Sequence, residues 1–335
     1  MWAAEGASET GPAFVEVSTA GELQAAVARV SKLGGAIRLR PGSYAVDGTI
    51  EFKGAHRIAL FGSGWSTILK KRGDGDAIRF EGAGFCVVRD LWIRGDKAAK
   101  VGSGIVFRNS SSCKVEGCQV TEFPVDGVRL EGDEGRPISS NTVRDCHLLG
   151  NREAGLSSVC NNDFYIVGNQ FGTHGAAPRA GCVLDRSSAG TYSMNYHWGN
   201  VNALRITGGS SFNRLENNRF EESRETAVVM GELRVGGICR YNIFAGNTFH
   251  SNSQDKPGEF AAMTASNAKA ITFTGNQFFS WNATAYKHRS SLVLGSGCTR
   301  WIITGNIFDH NTGTPLLYDG GAQIIVRDNL TDSEQ

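Results

Sequence analysis

A short phrase recurs along this chain and constrains its fold more than any single residue does. It reads Ile166-Val-Gly-Asn169-Gln-Phe171, Leu215-Glu-Asn-Asn218-Arg-Phe220, Phe244-Ala-Gly-Asn247-Thr-Phe249, Phe273-Thr-Gly-Asn276-Gln-Phe278 and Ile303-Thr-Gly-Asn306-Ile-Phe308. A weaker copy, Tyr192-Ser-Met-Asn195-Tyr-His197, fills the gap between the first two, so the marker Asn advances in steps of 26, 23, 29, 29 and 30 residues. Upstream, the segments centred on Leu91, Cys118 and Cys146 keep the rhythm, with steps of 27, 28 and 23. Self-similarity at such a period signals a solenoid of stacked units, each burying the face its neighbour leaves open.

The unit is built from strands. Runs of three to five β-branched and aromatic residues, such as Ala227-Val-Val-Met230, are bounded by Gly, Asn and Ser turns and leave no room for a helix. A coil of 23–30 residues satisfies its backbone by bonding to the coils above and below, ~4.8 Å away. Equivalent side chains then stack, and the marker Asn reads as a turn ladder with left-handed geometry and amide-to-amide bonds. The helical period is convincing only near the start: Leu23, Val27 and Val30 share one face, and Thr19 with Glu22 has capping-box spacing. This predicts a helix over about 18–31 that caps the open end of the solenoid.

After that helix come Gly34-Gly35, a strand leading to Pro41-Gly42-Ser43-Tyr44, then Gly62-Ser63-Gly64 and Thr67-Ile68-Leu69. This succession resembles the opening of the pectate-lyase-like superfamily, the right-handed parallel β-helices of polysaccharide lyases, hydrolases, epimerases and phage tailspikes. The resemblance implies an all-β, right-handed parallel β-helix of about eleven coils with an N-terminal capping α-helix. The expected organisation is a flexible segment over 1–13, one β-helix domain over 14–330 and a tail over 331–335. The resemblance further implies a polysaccharide partner, with side-by-side homotrimer packing as in the tailspikes.

Bulk properties narrow the classes. With 34 basic and 33 acidic side chains the formal charge is +1, so no global field recruits nucleic acid. No run of 18 apolar residues spans a membrane. The eight cysteines lack Cys-x-x-Cys or zinc spacing and read as buried free thiols, so neither a metal nor another cofactor is expected. The first residues lack the basic and apolar regions of a leader. An extracellular or virion-associated location is therefore expected either without a leader or after its removal.

Registering each unit on its marker places polar segments on one stripe: Pro124–Gly127, Asn151–Ala154, residues 174–179, Asn200–Ala203 and Ser223–Thr226. Two carboxylates on a rigid wall suit glycoside hydrolysis, one giving a proton and one activating water or attacking. Glu153, Asp126, Asp185 and Glu225 are the candidates, paired as Asp126 with Glu153 or Glu153 with Asp185, with Glu225 and Glu222 further along the same stripe. Arg129, Arg152, Arg179, Arg205, Tyr196, His197, Trp198 and Asn202 are candidates for holding the glycan. β-Elimination from a uronate is the alternative, needing Arg to neutralise the carboxylate and Tyr or His to move a proton; Arg186, Tyr165 and His174 add to that set. The calcium-binding Asp cluster, Asn-Thr-Asp, Gly-His-Gly and Asp-Pro-His motifs of the best-marked subfamilies are missing. A third reading is a glycan-binding module without catalysis. His250, His288 and His310 read as turn or surface residues, and Ser251–Glu259 as a projecting loop that either walls a cleft or is a tolerated insertion.

Overall fold

The computed structural model describes residues 13–173, 175–231, 236–281, 288–318 and 323–331. It is a parallel β-solenoid of about twelve turns, with three sheets of 13, 12 and 11 strands running along its length. One coil illustrates the path. Tyr165–Val167 lies in sheet one, Gln170–Gly172 in sheet two and Ala180–Asp185 in sheet three, before Thr191–Ser193 returns to sheet one. Every strand pairs in parallel with its equivalents one coil away, as Ile166 does with Val143 and Tyr192.

The helix spans Ala20–Leu33, two residues later at each end than the spacing predicts, because Thr19 takes the N-cap position in an extended conformation. Its side chain and that of Glu22 form the reciprocal capping box, and Leu23, Ala26, Val27 and Val30 are buried. Ala13 already belongs to an edge strand, Ala13–Val17, paired with Gly35–Leu39, so the expected flexible segment ends before it. Residues 1–12 and 332–335 lie outside the described residues. Gly35, at φ +125°, allows that pairing: a Cβ there would come within 2.0 Å of the Ala13 carbonyl oxygen.

The marker positions form the predicted ladder. The Asn195 Oδ1 accepts from the Asn169 backbone N–H (3.0 Å) and the Asn169 amide (3.1 Å), while the Asn195 amide donates to the Ile166 carbonyl at 2.9 Å. The same bonds repeat through Asn218, Asn247, Asn276, Asn306 and Asn329. Cys146 and Cys118 extend the column, and all eight cysteines are free and buried. The left-handed conformation belongs to the preceding residue rather than to the Asn itself, as at Gly168, Met194, Asn217 and Gly246. The marker side chain turns inward, so its amide serves the corner while its neighbour makes the bend. A second ladder at the next corner uses Asn151, Asn200 and Asn252, each donating to a carbonyl of the preceding coil.

Within sheet two the inward column runs Leu148, Phe171, His197, Phe220, Phe249, Phe278 and Phe308. Phe249 and Phe278 stack at 4.4 Å between ring centroids. Because Asn247 is buried and bonded through both its oxygen and its amide nitrogen, Asn247→Ala strands the Asn218 N–H and the Leu215 carbonyl. We expect a loss of about 2–4 kcal/mol in denaturant unfolding, against a negligible change for substitution of solvent-facing Gln277.

Candidate functional site

Three adjoining depressions follow the corner between sheets two and three. The first, of about 340 Å³, is lined by Lys70, Arg72, Arg94 and Asp96 among others. It shares Asp96, Lys97 and Glu122 with the second, of about 420 Å³, which Phe123, Pro124, Gly150, Arg152 and Ala177 also line. Thr173 and Gly175 join that one to the widest, of about 530 Å³, around Gln170, Tyr196, Trp198, Glu222, Arg224 and Gln254. These residues come from eight successive coils, so the groove extends along the rod for about 30 Å at the ~4.8 Å spacing of stacked strands.

The widest depression has an aromatic and charged floor. Tyr196 and Trp198 alternate outward from one strand and stack at 5.0 Å. Trp198 lies over Gly172, where a Cβ would approach the indole to 2.4 Å, so only glycine provides this bed. Arg219 sits over the Tyr196 ring at 4.9 Å and pairs with Glu221 at 2.8 Å. His250 Nε2 lies 3.2 Å from the Glu221 carboxylate and accepts from Arg219 Nε at 3.2 Å. Burial and a hydrogen bond to Glu221 push the Tyr196 hydroxyl up to about 12, keeping it a proton donor. Burial also lowers His250 below the usual imidazole value, with Glu221 acting in the opposite sense. At the far end Arg224 reaches Asp255 (3.5 Å) and Thr312 bonds to Gly258 (3.1 Å), which tethers the loop over Ser251–Glu259, whose Gln254 lines the widest depression.

Several expected site residues meet along this corner. Arg152 and Glu153 stack on Phe123 and Val125 by backbone bonds; Ala180 bonds back to Glu153, Asn202 to Arg179 and Glu225 to Val201. Glu153, Arg179 and Glu225 thus share one edge, with Glu153 paired to Arg179 at 3.3 Å. Asp126 lies beside Glu153 on the preceding coil, but it is only 2% exposed and bonded to Arg129 (3.1 Å), which also holds Glu131. Burial above all, together with the Glu153 charge, raises the Asp126 carboxyl to about 6 despite Arg129. Asn202 gives its amide to the Thr226 carbonyl at 2.8 Å. Arg205 faces outward on sheet three between Val183 and Val229.

Other expectations are corrected. His197 does not face a glycan: it is fully buried, stacks on Phe171 at 4.6 Å and bonds to the Tyr192 hydroxyl at 2.5 Å. Strand alternation turns Tyr196 and Trp198 outward and the residue between them inward. Asp185 does not join Glu153, because it stands in register with Glu131, five positions from the Asp126 end of the strands, roughly 16 Å along them. It pairs instead with Arg186 at 2.7 Å. Tyr165 lies on sheet one and His174 outside the described residues. His250 and His288 are buried rather than superficial. Arg219, Glu221 and His250 were missed, although the alternating Arg219-Phe220-Glu221 carries an outward signal of its own.

The family model described as "Right handed beta helix region" matches residues 49–195 and 103–278, and the chain belongs to that family. No curated protein sequence matches the chain. Among solved structures, the Azotobacter vinelandii mannuronan C-5 epimerase AlgE6 A-module is similar, with TM-score 0.71 and 15% identity over 98% of this chain and 99% of that one. The enzymatically active domain of bacteriophage CBA120 tailspike protein 2 gives 0.67 and 14%, covering 84% of this chain and 44% of that one. A tailspike mutant of E. coli bacteriophage HK620 in complex with pentasaccharide gives 0.69 and 15%, covering 96% and 62%. At such identities these likenesses establish the shared fold.

His197 has a measurable consequence. Burial holds its imidazole down at about 3, against 6.5 when free. The unfolded chain therefore binds the extra proton first, and stability falls as pH drops from 6.5 toward 3. We expect acid unfolding curves of the double variant His197→Phe/Tyr192→Phe to have a shallower slope in that window, whereas His197→Phe alone also leaves the Tyr192 hydroxyl without its partner.

Proposed function

We propose that this chain binds an extended polysaccharide along the corner groove and cleaves it there, acting outside a cell or on a virion. The observation that carries this reading is the groove's continuity: three depressions merge over eight coils, with the Tyr196–Trp198 platform in the widest. A trough of that length matches a polymer better than a small ligand. Aromatic rings with a polar handle suit sugars, which present apolar faces and hydroxyl edges. The epimerase of mannuronan and the pentasaccharide-bound tailspike, built on the same fold, agree with it.

The first reading of the chemistry is hydrolysis at Asp126 and Glu153. These neighbours have contrasting environments, one buried with a carboxyl raised to about 6 and the other partly exposed at the rim. Splitting a carboxyl pair in this way separates the proton donor from its partner. Arg129 must swing off Asp126 before that proton reaches a glycosidic oxygen. The convergence of Tyr196, Arg219 and His250 favours a second reading, β-elimination: the neutral His250 imidazole takes the C5 proton, the C4–O bond breaks as Tyr196 protonates the leaving oxygen, and Arg219 lies near the uronate carboxylate.

A panel of neutral and anionic polysaccharides, followed by new reducing ends and by ultraviolet absorbance of an unsaturated sugar, separates the two. Hydrolysis yields reducing ends without absorbance, and Glu153→Gln lowers turnover by about 10²-fold or more. β-Elimination yields both signals, and Tyr196→Phe removes them. If polysaccharides are bound but not cut, and Trp198→Ala abolishes binding, the chain is a glycan-binding module. If none is bound, the groove reading fails.

A further inference from the structure

At the N-terminal mouth of the groove, Lys71 is only 2% exposed, yet no carboxylate among the described residues pairs with it. Its ammonium is surrounded by backbone carbonyls instead: Arg72 and Asp74 at 2.7 Å, Asp47 at 2.9 Å and Gly73 at 3.3 Å. Three donors thus meet four acceptors from two coils, a shell of carbonyl dipoles of the kind that replaces the hydration of a monovalent cation. Side chains hold the shell together. Arg72 grips Asp47 through two bonds of 2.7 and 2.9 Å. Asp74 accepts from the Lys100 N–H at 2.7 Å, and Asp96 accepts from the Gly73 N–H at 3.0 Å, tying the loop to the coil that follows. Asp96 and Arg72 both line the first depression.

We propose that the carbonyls of Asp47, Arg72, Gly73 and Asp74 form a monovalent-cation site that Lys71 fills from within. Shortening this side chain empties the shell and makes the mouth of the groove dependent on a small free cation of ammonium or potassium type. Among the described residues no other donor bonds these four carbonyl oxygens, so removing the ammonium takes away four contacts of the loop at once. In the native chain the tethered ammonium supplies the charge without recruiting an ion from solution. The inference concerns the fold of the mouth and does not depend on polysaccharide cleavage.

The test compares the whole protein with Lys71→Ala and Lys71→Met by thermal unfolding in ammonium, potassium and choline chloride at equal ionic strength. In choline chloride, Lys71→Ala should melt about 5 °C or more below the parent, and ammonium or potassium should recover a large part of the loss. Lys71→Met, whose chain still occupies the channel, should be destabilised without such recovery, and the parent should respond alike to all three salts. An unchanged midpoint for Lys71→Ala, or equal recovery in choline, overturns the proposal, as does equal recovery in the methionine variant. Should Lys71→Ala not fold, reductive methylation of the native protein decides: Lys71 should stay unlabelled while exposed Lys70 reacts, and equal labelling overturns it.

Discussion

The structure depends on one constraint: a strand of three residues has too few hydrogen bonds to be stable except within a stack. Each coil turns through three short strands, and its peptide groups are satisfied only by the coils before and after it. The corners are the weak points, because a bending chain aims N–H and C=O groups away from any ladder. The buried Asn residues remove that weakness, carrying donors and acceptors into the bend and passing each bond to the next coil. A corner that is saturated inside has no need to fold over itself, which leaves its outer surface open.

That surface between sheets two and three is where the chemistry collects. The strands of sheet two end there with outward Trp198, Glu221 and His250, and sheet three begins there with Asp126 and its neighbours. The connecting segments vary in length, and their variation shapes the depressions. The site is thus assembled from small contributions of many coils. Tyr196 and Trp198 give the widest stretch its stacked rings.

Charge is handled differently at the two ends of this groove. Around Tyr196, Arg219 lies over the ring and pairs with Glu221, so the nearly buried carboxylate keeps a cation beside it. At the mouth, backbone carbonyls bond the Lys71 ammonium directly, and Asp74 and Asp96 act on it through charge without a direct bond.

How much was legible follows from what each feature depends on. Repeats spaced by 23–30 residues, a capping box and Gly-rich turns are local patterns, so the sequence alone determined the parallel solenoid, its capping helix, the Asn ladder and the common edge of Glu153, Arg179 and Glu225. The direction of a side chain depends on the phase of alternation within a strand, and a shift of one residue reverses it. Hence Tyr196-His197-Trp198 looked like one aromatic surface, while the packed chain sends its middle ring between Phe171 and Phe220. Separation along a strand is equally silent in a pattern counted from turns, which is why Asp185 seemed close to Glu153. Lys71 carries no sequence signal at all, because its partners are backbone carbonyls and only tertiary structure decides where these converge.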